Sequence, residues 1–161
     1  MKRTFDSYHV TLYEFVREIL VVCPNCSQLA LVSSGNFQEF KAKIEGLNLS
    51  CKHCGYSRRL EPIERRQSPA QKNGVILKFG NAIDPFFHAE LWLLTNYRSR
   101  TLWAYNIEHL DFICRIISSD LRERHHAGRT IRGIGSRLPK WILAANARKD
   151  LLNLISKLRN K

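Results

Sequence analysis

The sequence predicts an α+β fold, and three observations carry that prediction. Two Cys-x-x-Cys pairs, Cys23/Cys26 and Cys51/Cys54, are separated by residues 27–50, 24 in all. Two aromatic-rich segments, 89–97 and 101–105, flank the short polar run Arg98-Ser99-Arg100. Two later segments repeat apolar residues at helical spacing. The expected architecture is an N-terminal zinc ribbon, then a small antiparallel hairpin or sheet, then two amphipathic C-terminal helices. Its units are residues 1–61 (ribbon with an N-terminal lead-in), 62–74 (linker) and 75–161 (an α+β body with basic C-terminal helices).

The cysteine pattern carries the most chemistry. A two-residue spacing lets one tight turn present both sulfurs of a pair to a single ion, and four thiolates suit tetrahedral zinc. Gly55 directly after the second pair allows the backbone angles such a turn needs. With all four positions Cys, the coordination shell is closed. The expected cofactor is therefore one structural Zn2+ on Cys23, Cys26, Cys51 and Cys54, with no open position for a catalytic water. His53, inside the second pair, is a further candidate, as a replacement ligand or as a charged donor beside the sulfurs. Cys114, alone, is expected on a buried helix face.

Along the chain, Tyr8, Leu12, Phe15 and Ile19 fall at helical spacing, whereas Ile19-Leu20-Val21-Val22 is strand-like. A short helix or extended lead-in followed by a strand is expected. Two or three short antiparallel strands should lie between the cysteine pairs, with a turn at Ser34-Gly35-Asn36 and a break at Gly46. Phe40 alternates in phase with Ala42 and Ile44 and is expected to cover the ribbon's own core. The polar run with Pro62, Pro69 and Gly74 is the linker, Val75-Ile76-Leu77-Lys78-Phe79 is a candidate strand, and Asp84-Pro85 marks a turn or helix start. The two aromatic segments form a hairpin, although a helix through 89–94 competes. Asn106 is an N-cap with Glu108 in the first turn, ahead of an apolar face of Leu110, Ile113, Cys114, Ile117 and Leu121. The last helix is expected to begin near Ser136–Pro139, with Pro in its first turn, and to run to about Leu158.

The 161 residues, 44% hydrophobic, suffice for one compact unit or a unit plus a small module. No stretch approaches the roughly 20 apolar residues that cross a bilayer. No run matches the about 7–15 apolar residues of a secretory signal. The expectation is a cytoplasmic protein with no membrane partner, in agreement with paired cysteines that ligate metal in a reducing compartment.

The net charge is +12 and unevenly placed. Residues 41–72 hold eight Lys/Arg against three Asp/Glu, and residues 122–161 hold eleven against two, whereas 1–40 and 73–121 are each net −1. Such asymmetry points to a polyanionic partner. The candidate contacts are Arg58, Arg59, Arg65 and Arg66 after the second cysteine pair, then Arg129, Arg132, Arg137 and Lys140. Phe37, Phe40 and Tyr56 are candidate stacking residues, and Trp92 and Trp103 a candidate protein-docking face. The six histidines match no catalytic spacing. Of imaginable acid–base groupings, only His88 with Asp84 and Glu90, or His109 with Asp111, stand out, and a non-enzymatic protein is expected.

Residues 23–56, through Cys23-Pro24-Asn25-Cys26 and Cys51-Lys52-His53-Cys54-Gly55-Tyr56, resemble the zinc ribbon of the transcription-factor-IIB type. With Leu91-Trp92-Leu93, Leu102-Trp103-Ala104-Tyr105-Asn106, His109-Leu110, Leu121-Arg122-Glu123-Arg124 and Ser136-Arg137-Leu138-Pro139-Lys140-Trp141, most of the chain resembles the small bacterial proteins described as TFIIB-type zinc ribbon-containing. The resemblance implies a ribbon plus an α+β body and no particular activity. The cyclin-like helical repeats of the general transcription factor are absent. The leading expectation is nucleic-acid binding through the basic surface. The alternative is a protein-interaction module, a regulator or toxin-neutralising partner, that docks an acidic protein.

Overall fold

The computed structural model describes residues 9–119 and 133–161. The N-terminal half is a ribbon of short antiparallel strands, β1 (Glu18–Val22), β2 (Leu29–Ser33), β3 (Lys43–Ile44), β4 (Asn48–Ser50), β5 (Ser57–Arg59) and β6 (Ile63–Glu64). Four of them make one sheet in the order β1-β2-β4-β5, and β3 pairs with β6 apart from it. A one-turn 3-10 helix, Leu12–Phe15, precedes β1, and the Glu14 carboxylate accepts the Thr11 backbone N–H at 2.8 Å. Alternation buries Ile19 and Val21 on β1 and Ala30 and Val32 on β2, leaving their neighbours partly solvated. Each large aliphatic side chain removed from water contributes roughly 1.5–3 kcal/mol.

The second half is a hairpin, β7 (Leu93–Tyr97) and β8 (Arg100–Ala104), covered by helices α1 (Ile107–Ser118) and α3 (Arg148–Arg159). Arg98, at φ 55°, turns the hairpin. The helix considered for 89–94 does not form. Leu93, Leu102, Leu110, Ile113, Leu151 and Ile155 fill the core between hairpin and helices. Asn106 caps α1 as expected, its Oδ1 accepting the His109 backbone N–H at 2.8 Å. Its Nδ2 also donates to the Phe15 and Glu18 carbonyls, both at 2.9 Å, so one side chain ties the lead-in to the helix start.

Ribbon and body share a core. The chain at 90–92 runs along the outer edge of β1: Val22 N–H donates to Glu90 O at 2.8 Å and Trp92 N–H to Leu20 O at 2.9 Å. Leu20 N–H donates to Tyr105 O at 2.7 Å. Ribbon residues Ile19, Val21 and Leu49 belong to the same buried cluster as Phe86, Tyr105 and Phe112 of the body. Residues 62–74, read as a linker, return to the ribbon through β6, and Arg66 N–H donates to Val75 O at 3.0 Å.

Three local expectations are corrected. Residues 75–79 form no strand; Val75 makes one isolated parallel bridge to Arg65, which leaves Val75 and Ile76 exposed. Phe40 is 84% exposed, because Gln38–Phe40 leaves the alternating path in a turn before β3 begins. The last helix begins at Arg148, not near Pro139. Pro139 forces Leu138 into extended backbone at ψ 135°, and Ala144 is again extended, so a short α2 (Ile134–Arg137) and a run of turns come first. Trp141 therefore packs from a turn, stacked on Tyr97 at 5.8 Å, and not from the helix. Among the described residues no helix is long and apolar enough to cross a membrane.

Candidate metal centre and basic surface

Each cysteine pair occupies the turn between two paired strands, the first between β1 and β2 and the second between β4 and β5. The turns are built alike. Cys23 N–H donates to Gln28 O and Cys51 N–H to Tyr56 O, both at 2.8 Å. Ser27 N–H returns to Cys23 O at 2.9 Å and Gly55 N–H to Cys51 O at 3.0 Å. Ser27 (φ 60°) and Gly55 (φ 75°) occupy the same left-handed position. Pairing of β2 with β4, Leu31 opposite Ser50, then sets the two turns side by side.

The four sulfurs of Cys23, Cys26, Cys51 and Cys54 lie within 4.8 Å of one another. Cys23 Sγ is 3.7 Å from Cys54 Sγ, and Cys26 Sγ is 3.7 Å from Cys51 Sγ. This is too far for disulfides. It matches the edge of about 3.8 Å expected of a tetrahedron with metal–sulfur bonds of about 2.3 Å. The four cysteines can therefore hold one metal ion. The first cysteine of each pair is buried, and Cys54 is exposed, so the centre sits at the rim of the sheet.

The electrostatics of the cluster favour a cation. A hydrogen bond from the Asn25 side chain, then the Tyr56 backbone N–H, lowers the Cys54 thiol to about 6. The Gln28 backbone N–H favours a Cys26 thiolate too, but desolvation and the three neighbouring sulfurs outweigh it and push this thiol up to about 12. Four thiolates this close repel one another, and a dication bound among them removes that penalty. His53 is exposed and outside the sulfur cluster; the Asn25 backbone N–H, 3.4 Å from Cys23 Sγ, is a neutral donor to it. Cys114 is half-buried on α1.

The basic residues fall into distinct environments. Arg58 and Arg59 are exposed on β5, the strand that leaves the second turn, with the Arg58 guanidinium 5.9 Å from the Phe87 ring centre. Arg65 is half-buried among three rings, 5.9 Å from Tyr13, 5.6 Å from Phe37 and 5.9 Å from Phe79, and donates to the Glu39 carbonyl. Arg66 folds back onto its own turn, donating to Ser68 O at 3.1 Å and to Pro69 O. Arg137 and Lys140 are exposed. Arg129 and Arg132 lie outside the described residues.

Of the candidate stacking residues, Phe37 lies inside the Arg65 cage, Tyr56 is half-buried against the core, and Phe40 is open to solvent. All three tryptophans are half-buried, and cations cover two of them: Lys161 Nζ lies 4.3 Å from Trp92, and Arg100 lies 5.7 Å from Trp141. His88 lies near enough to Asp84 to favour its carboxylate electrostatically, although burial dominates and raises the Asp84 pKa. The Asp84 carboxylate accepts the backbone N–H groups of Phe86, Phe87 and Ala89. Asp111 pairs with Arg159, and His109 is buried with its Nδ1 accepting the Tyr105 N–H. The aromatic cage of Arg65 escaped sequence reasoning, since its rings come from positions 13, 37 and 79.

No family model, curated protein or solved structure matches the chain.

Proposed function

We propose that the four cysteines hold one structural zinc ion and that the protein is a non-enzymatic binder of nucleic acid. The observation that carries this reading is the placement of Arg58 and Arg59. They are exposed on a strand that issues directly from the second cysteine turn, so a metal bound there fixes the two opposite faces of β5 from which their guanidinium groups project. Zinc is favoured by the all-sulfur tetrahedral donor set. A multi-iron cluster holds its cysteine sulfurs farther apart than one ion does. The surplus of cations in residues 41–72 and 122–161 supplies the field that attracts phosphate. Arg137 and Lys140, both exposed, are further candidate phosphate contacts, as are Arg129 and Arg132. Arg65 and Arg66 have donors engaged within the fold and serve it mainly by bracing the ribbon. The resemblance to the small bacterial zinc ribbon-containing proteins agrees with the metal-holding ribbon and implies no particular activity.

A second reading has its own support. Leu60 N–H to Leu47 O and Cys51 N–H to Tyr56 O set the bonded positions of the β4–β5 ladder, so Ser57 and Arg59 turn their backbone groups outward. No strand among the described residues pairs with that edge. An acidic protein segment could add there as a further strand.

The test is fluorescence anisotropy with labelled single-stranded DNA, duplex DNA and RNA over a salt series, using zinc-loaded wild type, R58E/R59E and R129E/R132E. Binding that weakens with salt and is lost in the variants supports the nucleic-acid reading. Zinc-loaded protein that binds none of the three at low salt refutes it and directs attention to the β5 edge.

A further inference from the structure

A cavity of about 680 Å³ lies between the lead-in, the chain at 77–80, β8, α1 and the segment that follows Gly133. Its aromatic lining comes from Tyr13, Phe79 and Trp103, the first two meeting edge to face at 5.0 Å. Glu39, Arg137 and His109 supply its charged and hydrogen-bonding groups, with His9, Thr11 and Thr101 beside them.

His109 is the informative member. It is 2% exposed, and its Nδ1 accepts the Tyr105 backbone N–H at 3.2 Å, which puts the ring proton on Nε2. Nε2 has no hydrogen-bond partner among the described residues. Yet no side-chain nitrogen or oxygen there is both fully enclosed and unpaired. Nε2–H must therefore reach accessible space, and the accessible space that His109 lines is this cavity. A nearly buried donor, fixed in tautomer and lacking a partner, is a group prepared for an acceptor on a ligand.

We infer that the cavity binds a nucleobase carrying a phosphate. A base is flat and apolar on its faces, as the aromatic lining requires, and its edge carries both acceptors and donors. The acceptor takes the His109 Nε2–H, and an exocyclic amino group donates to the Glu39 carboxylate. Arg137, exposed at the wall, offers a guanidinium to the phosphate in two-point geometry. A purely apolar ligand leaves Nε2–H unpaired, and a phosphate without a base leaves the aromatic faces uncovered and gives the Glu39 carboxylate no donor. The volume is within the roughly 300–1,000 Å³ of small-molecule sites. A free nucleoside monophosphate and the terminal residue of a strand share this chemistry. The inference is independent of the β5 surface.

The experiment is calorimetric titration of the full zinc-loaded chain with AMP, GMP, CMP and UMP. Ribose 5-phosphate and inorganic phosphate serve as base-free controls, and Trp103 supplies a parallel fluorescence signal. Thr101→Tyr, at an exposed β8 position of the lining, narrows the cavity, and Arg137→Gln removes the phosphate partner. The expected result is 1:1 binding of at least one monophosphate, weakened at least tenfold by either substitution and unchanged in R58E/R59E. A 5′-phosphorylated trinucleotide that binds more tightly assigns the site to strand ends, and one that is excluded assigns it to free nucleotides. Ribose 5-phosphate binding as tightly as the monophosphates, binding indifferent to Thr101→Tyr, or no binding at millimolar ligand by folded protein would each overturn the inference.

Discussion

The imidazole of His109 stacks on the ring of Phe15, centroids 4.8 Å apart and planes 12° from parallel. This sets a titratable ring of α1 against the lead-in, where burial pulls its pKa down to about 4. The folded state therefore prefers neutral imidazole more strongly than the unfolded chain, whose His titrates near 6.5. Between about pH 6.5 and 4 the unfolded chain binds the extra proton, so stability is fully present above 6.5 and is lost as pH falls. The whole shift is worth on the order of 3 kcal/mol. Nitrogen NMR of His109 should show the neutral Nε2–H tautomer persisting below pH 5. A midpoint near 6.5 would show that the ring is not buried as described.

Metal removal should affect the whole molecule. Because Val22 and Trp92 are bonded to the chain across the β1 edge, the ribbon is not a detachable module. Stripping the ion with a chelator, or substituting Cys51→Ser, should change the near-ultraviolet dichroism of the body's tryptophans along with the strand signal. Metal analysis should find one zinc ion per chain before chelation. A tryptophan signal indifferent to chelation would show that the two halves fold independently.

Arg65→Ala should destabilise by about 2–3 kcal/mol, the loss of a three-ring cation–π cage and one hydrogen bond. Arg65→Lys should recover little, because an ammonium lacks the flat face that packs between rings. The exposed Arg58→Ala should change stability by less than about 0.5 kcal/mol. Urea unfolding midpoints of the three variants check the ordering.

The two cysteine turns give a matched pair of backbone substitutions. Ser27→Gly should stabilise by about 1 kcal/mol, since Ser holds a left-handed conformation that Gly adopts freely. Gly55→Ala should cost about the same. A Cβ there meets nothing within 4 Å, so the penalty is purely conformational. Denaturation of the zinc-loaded variants measures both.

If Arg58 and Arg59 each contact a phosphate, R58E/R59E should flatten the dependence of log affinity on log salt by about 2, roughly one per lost contact. An unchanged slope would remove β5 from the contact surface, whatever the absolute affinity.

Local signals fared unevenly. Asn106 was legible as an N-cap because capping is decided by one side chain and the next turn of backbone. Its two further bonds, to carbonyls near position 15, were not legible, since nothing local links residues ninety positions apart. The helical spacing of Trp141 and Ala144 with the residues of α3 was genuine periodicity, yet Ala144 is extended at ψ 130°, so the segment after Pro139 forms turns and the helix begins only at Arg148. Phe40 shows the converse: alternation with Ala42 and Ile44 was present, but the strand that would have used it is only Lys43–Ile44.

The sequence by itself determined the four-cysteine cluster that can hold a metal and the cap of α1, and it favoured the hairpin without excluding a helix through 89–94. Each depends on spacing within a turn or within one strand or helix, where a few residues' chemistry dominates. Only the tertiary structure decided which arginines remain open to solvent, that ribbon and body share a core, and that a buried histidine lines a cavity. Those outcomes depend on what packs across the chain. Arg58 and Arg65 are alike in sequence and seven positions apart, and one is exposed while three aromatic rings from distant segments enclose the other.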